Sequence, residues 1–292
     1  MLKGIDVSKH QGTIDWRKVK TDFAIIRAGY GKLISQKDSQ FEKNYAGCKS
    51  NGIPCGAYWY SYAMSEAEAK QEAKICLEAI AGKAFEFPIY FDIEESKQFN
   101  LGKAKCTAIA KAFLETVEKA GYWVGLYSSK YALESYFDES LRKRYAVWVA
   151  HYNVNKTTYR GDYGMWQHSS TGSVSGISGN VDMNYCYVDY PTAIKKAKLN
   201  GFSSNNSNSN NSSNSNTSHG VASCSKIAKG YKIQLNKMDL FVSSDATKKS
   251  NTLTGFYYIV DGQIINGRFR ISTFKGGTTV GWIDKKYTNE TG

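Results

Sequence analysis

Residues 145–186, YAVWVAHYNVNKTTYRGDYGMWQHSSTGSVSGISGNVDMNYC, contain three strand-like runs, at 145–152, 164–170 and 180–186. The segments between them are too short and too rich in Gly and Ser to form helices. Upstream the chain behaves differently. Apolar strands at 2–7, 23–29, 55–62, 88–94 and 123–129 each precede a helical pattern, at 14–20, 38–51, 65–81, 101–120 and 130–143. The third helix is well marked, because Ser65 and Glu68 have capping-box spacing and Gly82 stands as its stop signal. Five strand-helix units in series imply a parallel sheet. Three further strands without helices make an α/β irregular TIM-like barrel the simplest closure, with an open doubly wound sheet as the alternative.

The fourth strand ends unusually. Residues 88–96, PIYFDIEES, begin as a buried strand and finish in Asp92, Glu94 and Glu95. Side chains alternate along a strand, so Tyr90, Asp92 and Glu94 share one face while Ile89, Phe91 and Ile93 share the other. At about 3.3 Å per residue, Asp92 and Glu94 stand roughly 6–7 Å apart, at the end of the strand where barrel enzymes assemble their sites. Glu95 is expected on the opposite side, in solvent. Asp6 has the same placement on the first strand and Asp182 lies in the last, so four acids can converge on one mouth.

Such a cluster has a use. Partly desolvated like charges cannot all ionise easily, so one carboxyl keeps its proton to higher pH and can act as a general acid. A glycosidase needs that acid together with a carboxylate that stabilises or attacks the cationic sugar centre. The bland reading is that these acids cap loops or pair with Arg27 and Lys3. A metal site from Asp6, His10, Asp92 and Glu94 would have one histidine and no spaced ligand pair, so neither a metal nor a cofactor is expected.

Four separated motifs, GIDVSKHQGTIDW at the N-terminus, PIYFDIEES, WVAHYN at 148–153 and MWQHSSTGSVSGISGNVDMNYC at 165–186, resemble the glycoside hydrolase family 25 lysozymes, the Chalaropsis-type muramidases of endolysins and autolysins. The resemblance spans residues 1 to about 195. It implies a barrel of five strand-helix units followed by three strands, and hydrolysis of the β-1,4 bond between N-acetylmuramic acid and N-acetylglucosamine in peptidoglycan. By motif, Glu94 matches the general acid, and Asp92 the carboxylate that positions the substrate's acetamido group or stabilises the charged centre. Asp6 and Asp182 match supporting acids. Tyr62, Tyr127, Trp148 and Gln167 match the saccharide-contacting surface, although aromatics also fill barrels. In the loop after the second strand, Gln36 and Asp38 receive no role. A non-catalytic peptidoglycan- or chitin-binding protein on the same barrel is the alternative.

The remaining chain divides by composition. Residues 201–220 are Ser or Asn at 15 of 20 positions and carry no charge, so 201–221 reads as a flexible tether between a domain over 1–200 and another over 222–292. The latter holds 11 Lys+Arg against 5 Asp+Glu, half of the net charge of +12. Its short alternating runs, with GRFRIS and VGWID, resemble bacterial SH3-like wall-anchoring modules. Exposed aromatics beside Arg268, Arg270 and Lys275 would suit a peptide or an anionic wall polymer. Long-range attraction alone does not discriminate among anions. Taken with the resemblance, the expected partner is peptidoglycan, not nucleic acid or a membrane interior. The six cysteines have no C-x-x-C pairing and read as reduced thiols. The N-terminus runs directly into a strand with no signal-peptide pattern, so synthesis in the cytoplasm and action on the wall after release are expected.

Overall fold

The runs of β-branched and aromatic residues form eight strands: β1 Leu2–Val7, β2 Phe23–Tyr30, β3 Cys55–Tyr60, β4 Ile89–Asp92, β5 Val124–Ser129, β6 Ala146–Ala150, β7 Met165–Gly172 and β8 Val181–Cys186. They close into a barrel in chain order. Strands β1 to β7 pair parallel, whereas β8 runs antiparallel to both β7 and β1. The closed order excludes the open sheet. The computed structural model describes residues 1–202, 221–272 and 279–290, in two units, Met1–Asn205 and Asn206–Gly292.

Helices cover the outside: α1 Phe41–Ser50, α2 Glu66–Ala79, α3 Ser96–Phe99, α4 Lys103–Lys119, α5 Lys130–Tyr136, α6 Glu139–Arg144 and α7 Tyr190–Ala197. Two expectations fail. The first crossover contains only a 3₁₀ turn, Lys9–Gln11, and no helix at 14–20. Ile14, Trp16 and Val19 instead anchor the loop by burying in the outer core. Trp16 also donates to Asn44 Oδ1 at 3.3 Å. The helix at 130–143 is split, because Phe137 turns extended and buries completely, and Asp138 starts α6 as its N-cap.

Two apolar layers sandwich the barrel wall. Outward residues such as Ile5, Ile26, Phe91 and Leu126 meet the helices. Inward residues Phe23, Ile25, Phe87, Tyr90, Trp148 and Met165 fill the interior, with Phe23 and Phe87 stacked at 4.5 Å. Helix α7, absent from the sequence reading, contributes Tyr190 and Ile194 to this inner cluster. Its signals were present: Asp189 caps it by accepting from the Thr192 N–H, and Pro191 lies in its first turn. Phe202 packs against the same cluster, two residues into the stretch read as tether. The rest of that stretch, 203–220, lies outside the described residues.

The second unit is a six-stranded sheet in the order β13-β12-β11-β10-β9-β14, comprising β9 Val221–Cys224, β10 Lys232–Leu240, β11 Asn251–Ile259, β12 Arg268–Ser272, β13 Gly281–Asp284 and β14 Thr288–Glu290. A bridge between Phe241 and Trp282 brings β13 back to the end of β10. Two of the arginines that the sequence sets beside aromatics as a surface for a peptide or an anionic polymer make internal contacts. Arg268 pairs with Asp284 at 2.8 Å and lies 3.4 Å above the buried Phe241 ring. Arg270 pairs with Asp261 and lies 5.4 Å from the Trp282 ring. Lys275 lies outside the described residues.

Close packing inside the barrel depends on Gly4, where a Cβ would stand 2.2 Å from the Phe23 ring. Gly4→Ala is expected to lower stability by about 1–3 kcal/mol through overpacking. Urea unfolding should show a lower midpoint at unchanged slope, and an unchanged midpoint would mean that the ring is free to move.

Candidate active site

At the C-terminal end of the barrel the inward positions turn from apolar to polar. Asp6 lies opposite Ile25 and directly opposite Asp182, so the first and last strands bring both acids to one layer. Two residues beyond Ile25 comes Arg27, two beyond Tyr90 comes Asp92, and two beyond Met165 comes Gln167; Asn184 is two before Cys186. Tyr127 and Trp148 complete the ring from β5 and β6. Strand alternation therefore delivers the acids of distant segments to one face.

Asp6 is 4% exposed, and one of its oxygens, Oδ2, accepts from Gln167 Nε2 and Asn184 Nδ2, both at 2.8 Å. Each amide is itself fixed. Gln167 Oε1 accepts from the Tyr127 hydroxyl at 2.7 Å and from Tyr152, and Asn184 Oδ1 accepts from Trp148 Nε1 at 2.8 Å. Burial, then the Asp182 charge, raises the Asp6 carboxyl well above the usual range, and the two amide donors oppose that rise. Burial lifts Asp182 to about 6.

Asp92 is equally buried, and its Oδ1 has no hydrogen-bond partner. Burial, Glu94 and Asp6 raise its carboxyl, and the Arg27 guanidinium works the other way. Arg27 does not pair with the acids, as the bland reading supposed. Its Nε donates to Asp38 Oδ2 at 2.7 Å, and the buried Nη2 has no partner. Asp38, 3% exposed, also accepts from the backbone N–H groups of Lys9 and Gln40.

Glu94 lies two residues past the end of β4 and is exposed at the mouth. Surrounding protein nonetheless desolvates it, and with Glu95 and Asp182 pushes its carboxyl up to about 7. Glu95 departs from expectation. It is half-buried, accepts from the Tyr60 hydroxyl at 2.7 Å and adds to the negative field on Glu94. The chain curls into α3 directly after β4, so strand alternation no longer applies there.

The aromatic positions separate by exposure. Tyr62 is 50% exposed and forms a wall with Tyr60, at 5.1 Å, and Tyr30, at 6.1 Å. Lys9 Nζ lies 5.7 Å from the Tyr30 ring. Trp148, in contrast, is 1% exposed and packs among Tyr58, Tyr90 and Tyr127, leaving no ring face for a sugar. Tyr127 and Gln167 are buried as hydrogen-bonding supports of Asp6. The sequence reading missed Asn184, Arg27 as an inward cation and Asp38 as its anchor. Asn184 was within reach, since it lies two residues from Asp182 on one strand; the Arg27–Asp38 pair joins a strand to a loop and has no local signature.

Comparison with known proteins agrees with this geometry. The profile of "Glycosyl hydrolases family 25" matches residues 5–177. The chain is 34% identical over 200 residues to YegX of Escherichia coli O157:H7, covering 63% of this chain and 68% of that protein. It is 28% identical over 211 residues to lysozyme M1 of Streptomyces globisporus, covering 63% and 67%. The crystal structure of the CTP1L endolysin superposes with a TM-score of 0.58 at 28% identity, over 67% of this chain and 70% of that one. With the profile spanning more than half of its length and the barrel and acid layer in place, the chain belongs to glycosyl hydrolase family 25.

Proposed function

We propose that this chain is a lysozyme, a peptidoglycan hydrolase that cleaves the β-1,4 bond between N-acetylmuramic acid and N-acetylglucosamine, with Glu94 as the general acid. The carrying observation is that Glu94 alone of the four acids is exposed at the mouth while its carboxyl is held near 7. A general acid must reach the leaving oxygen and still carry its proton near neutral pH. Asp92 and Asp6 are too buried to meet that oxygen but are positioned to stabilise positive charge developing at the sugar centre. Arg27 favours the ionised form of Asp92, and the amides of Gln167 and Asn184 favour that of Asp6. Among the described residues no hydrogen bond supports the ionised form of Glu94. Tyr62, with Tyr30 and Tyr60, offers the ring faces for the glycan.

Purified cell walls should lose turbidity on treatment, which a binding protein would not cause. Mass spectra of the digest should show fragments with N-acetylmuramic acid at the reducing end; N-acetylglucosamine there would reassign the cut.

Within this reading, Glu94→Gln matches the shape but carries no acidic proton, so activity should fall by about 10²- to 10⁴-fold with unchanged circular dichroism. Near-normal lysis by that variant would remove Glu94 from the mechanism. The pH profile follows from the same group. Because its carboxyl loses the proton as pH rises through about 7, kcat should decline above that value. A kcat that keeps rising to pH 9 would contradict the assignment.

We assign targeting to the second unit, with peptidoglycan or an anionic wall polymer as its ligand and the Ser/Asn-rich stretch as the tether. A protein cut after residue 202 should match the intact rate on soluble peptidoglycan fragments and be slower on whole cells, because the tether raises the local concentration of active sites at an insoluble substrate. Equal whole-cell lysis with and without residues 221–292 would overturn that role.

A further inference from the structure

Glu72 lies in the middle of α2 and is 1% exposed. Its Oε1 accepts from the backbone N–H of Tyr62 at 2.9 Å, and its Oε2 is buried without a partner. The segment it grips, Ser61 to Ala63, connects β3 to α2 and carries the exposed Tyr62 ring. The same segment is gripped from the other side by Gln98 of α3, which is fully buried. Gln98 Nε2 donates to Ser61 Oγ at 3.2 Å and to the Ala63 carbonyl at 3.0 Å, and Gln98 Oε1 accepts from the Glu95 N–H at 3.2 Å. The Ser61 N–H donates to the Asp92 carbonyl at 2.8 Å. One short segment thus ties the aromatic wall to the end of β4, with a buried carboxyl as its rear support.

A glutamine at position 72 would offer Tyr62 the same acceptor without a charge, so the acid has a consequence that its hydrogen bonds alone do not require. We propose that Glu72 is a proton-linked positioning residue for the saccharide-binding wall: protonated, it holds Tyr62 in place, and on ionising it loosens the Ser61–Ala63 segment. This rests on the reading of Tyr62 as a sugar-contacting ring.

The surroundings supply little to compensate an ionised Glu72. Burial pushes its carboxyl up to about 7; the Ser61 hydroxyl and the Tyr62 N–H oppose that, Glu68 adds to it, and Lys32 counters weakly. Lys32 is itself held by Glu68 at 2.7 Å. On its own helix Cys76 faces it as a buried thiol, raised further by the Glu72 charge. The buried face of α4 adds Cys106 as its one titratable group. Arg27 of β2 is turned into the barrel and engaged by Asp38. The sign follows. The folded protein holds this proton more tightly than the unfolded chain does, where a Glu carboxyl titrates near 4.5, so the stability gained is complete below 4.5 and lost as pH rises through about 7.

The test uses the full chain and separates KM from kcat. Between pH 6 and pH 8 the KM for peptidoglycan fragments should rise, by up to about tenfold in the limit where only the protonated form holds Tyr62. In Glu72→Gln the KM should stay level, while kcat retains the decline set by Glu94. In Tyr62→Ala the KM should be high and level, with or without Glu72→Gln. Amide exchange supplies a readout on the wild-type protein that needs no activity. Protection at Tyr62 and Ala63 should fall over the same pH range by more than base catalysis accounts for, with β4 unaffected. A KM rise that persists in Glu72→Gln, or constant protection at Tyr62, would reduce Glu72 to passive packing. Loss of protection in a protein that cleaves no peptidoglycan would support the switch and overturn the assignment of the site.

Discussion

Desolvation of carboxyl groups at the mouth of an aromatic-filled barrel is the constraint around which this protein is built. A buried carboxylate without donors is strongly disfavoured. The fold answers by surrounding each acid differently. Asp6 receives two amide N–H groups, each fixed by an aromatic hydroxyl or indole, while Asp92 has the Arg27 guanidinium and keeps one oxygen without a partner. Glu94 has neither, but it reaches the surface. Residues of the same chemistry thereby differ in proton affinity and in accessibility.

The same constraint explains why the support of the site extends well behind it. Arg27 can be turned into the barrel because Asp38, in the loop before α1, accepts its Nε and two backbone N–H groups. The amides of Gln167 and Asn184 point correctly because Tyr127, Tyr152 and Trp148 occupy their other ends. Aromatics that resemble sugar platforms in the sequence are therefore divided in environment. Tyr127 and Trp148 are buried inside the barrel and orient polar groups, whereas Tyr62 is exposed at the rim.

In the second unit Arg268 and Arg270 neutralise local aspartates and lie over aromatic rings, which stabilises a small sheet with few buried residues. The exposed Lys226, Lys229 and Lys232 add further positive charge to the same unit.

The sequence by itself determined the eight strands, their order, the mouth at which the acids gather and the family, because strand alternation and motif spacing are local properties. It also placed Asp6, Asp92 and Asp182 correctly, since each lies within a strand whose period is two. Past β4 that period ends, so the orientation of Glu95 toward Tyr60 was not legible, and neither was the break of the fifth helix at Phe137. Only the tertiary structure decided that Trp148 is interior rather than a sugar platform, that Arg27 answers to Asp38, and that Glu72 of α2 holds the backbone of Tyr62. Each of these depends on which segments far apart in the chain meet in space and on how much water remains between them, and neither is encoded in the pattern of any single segment.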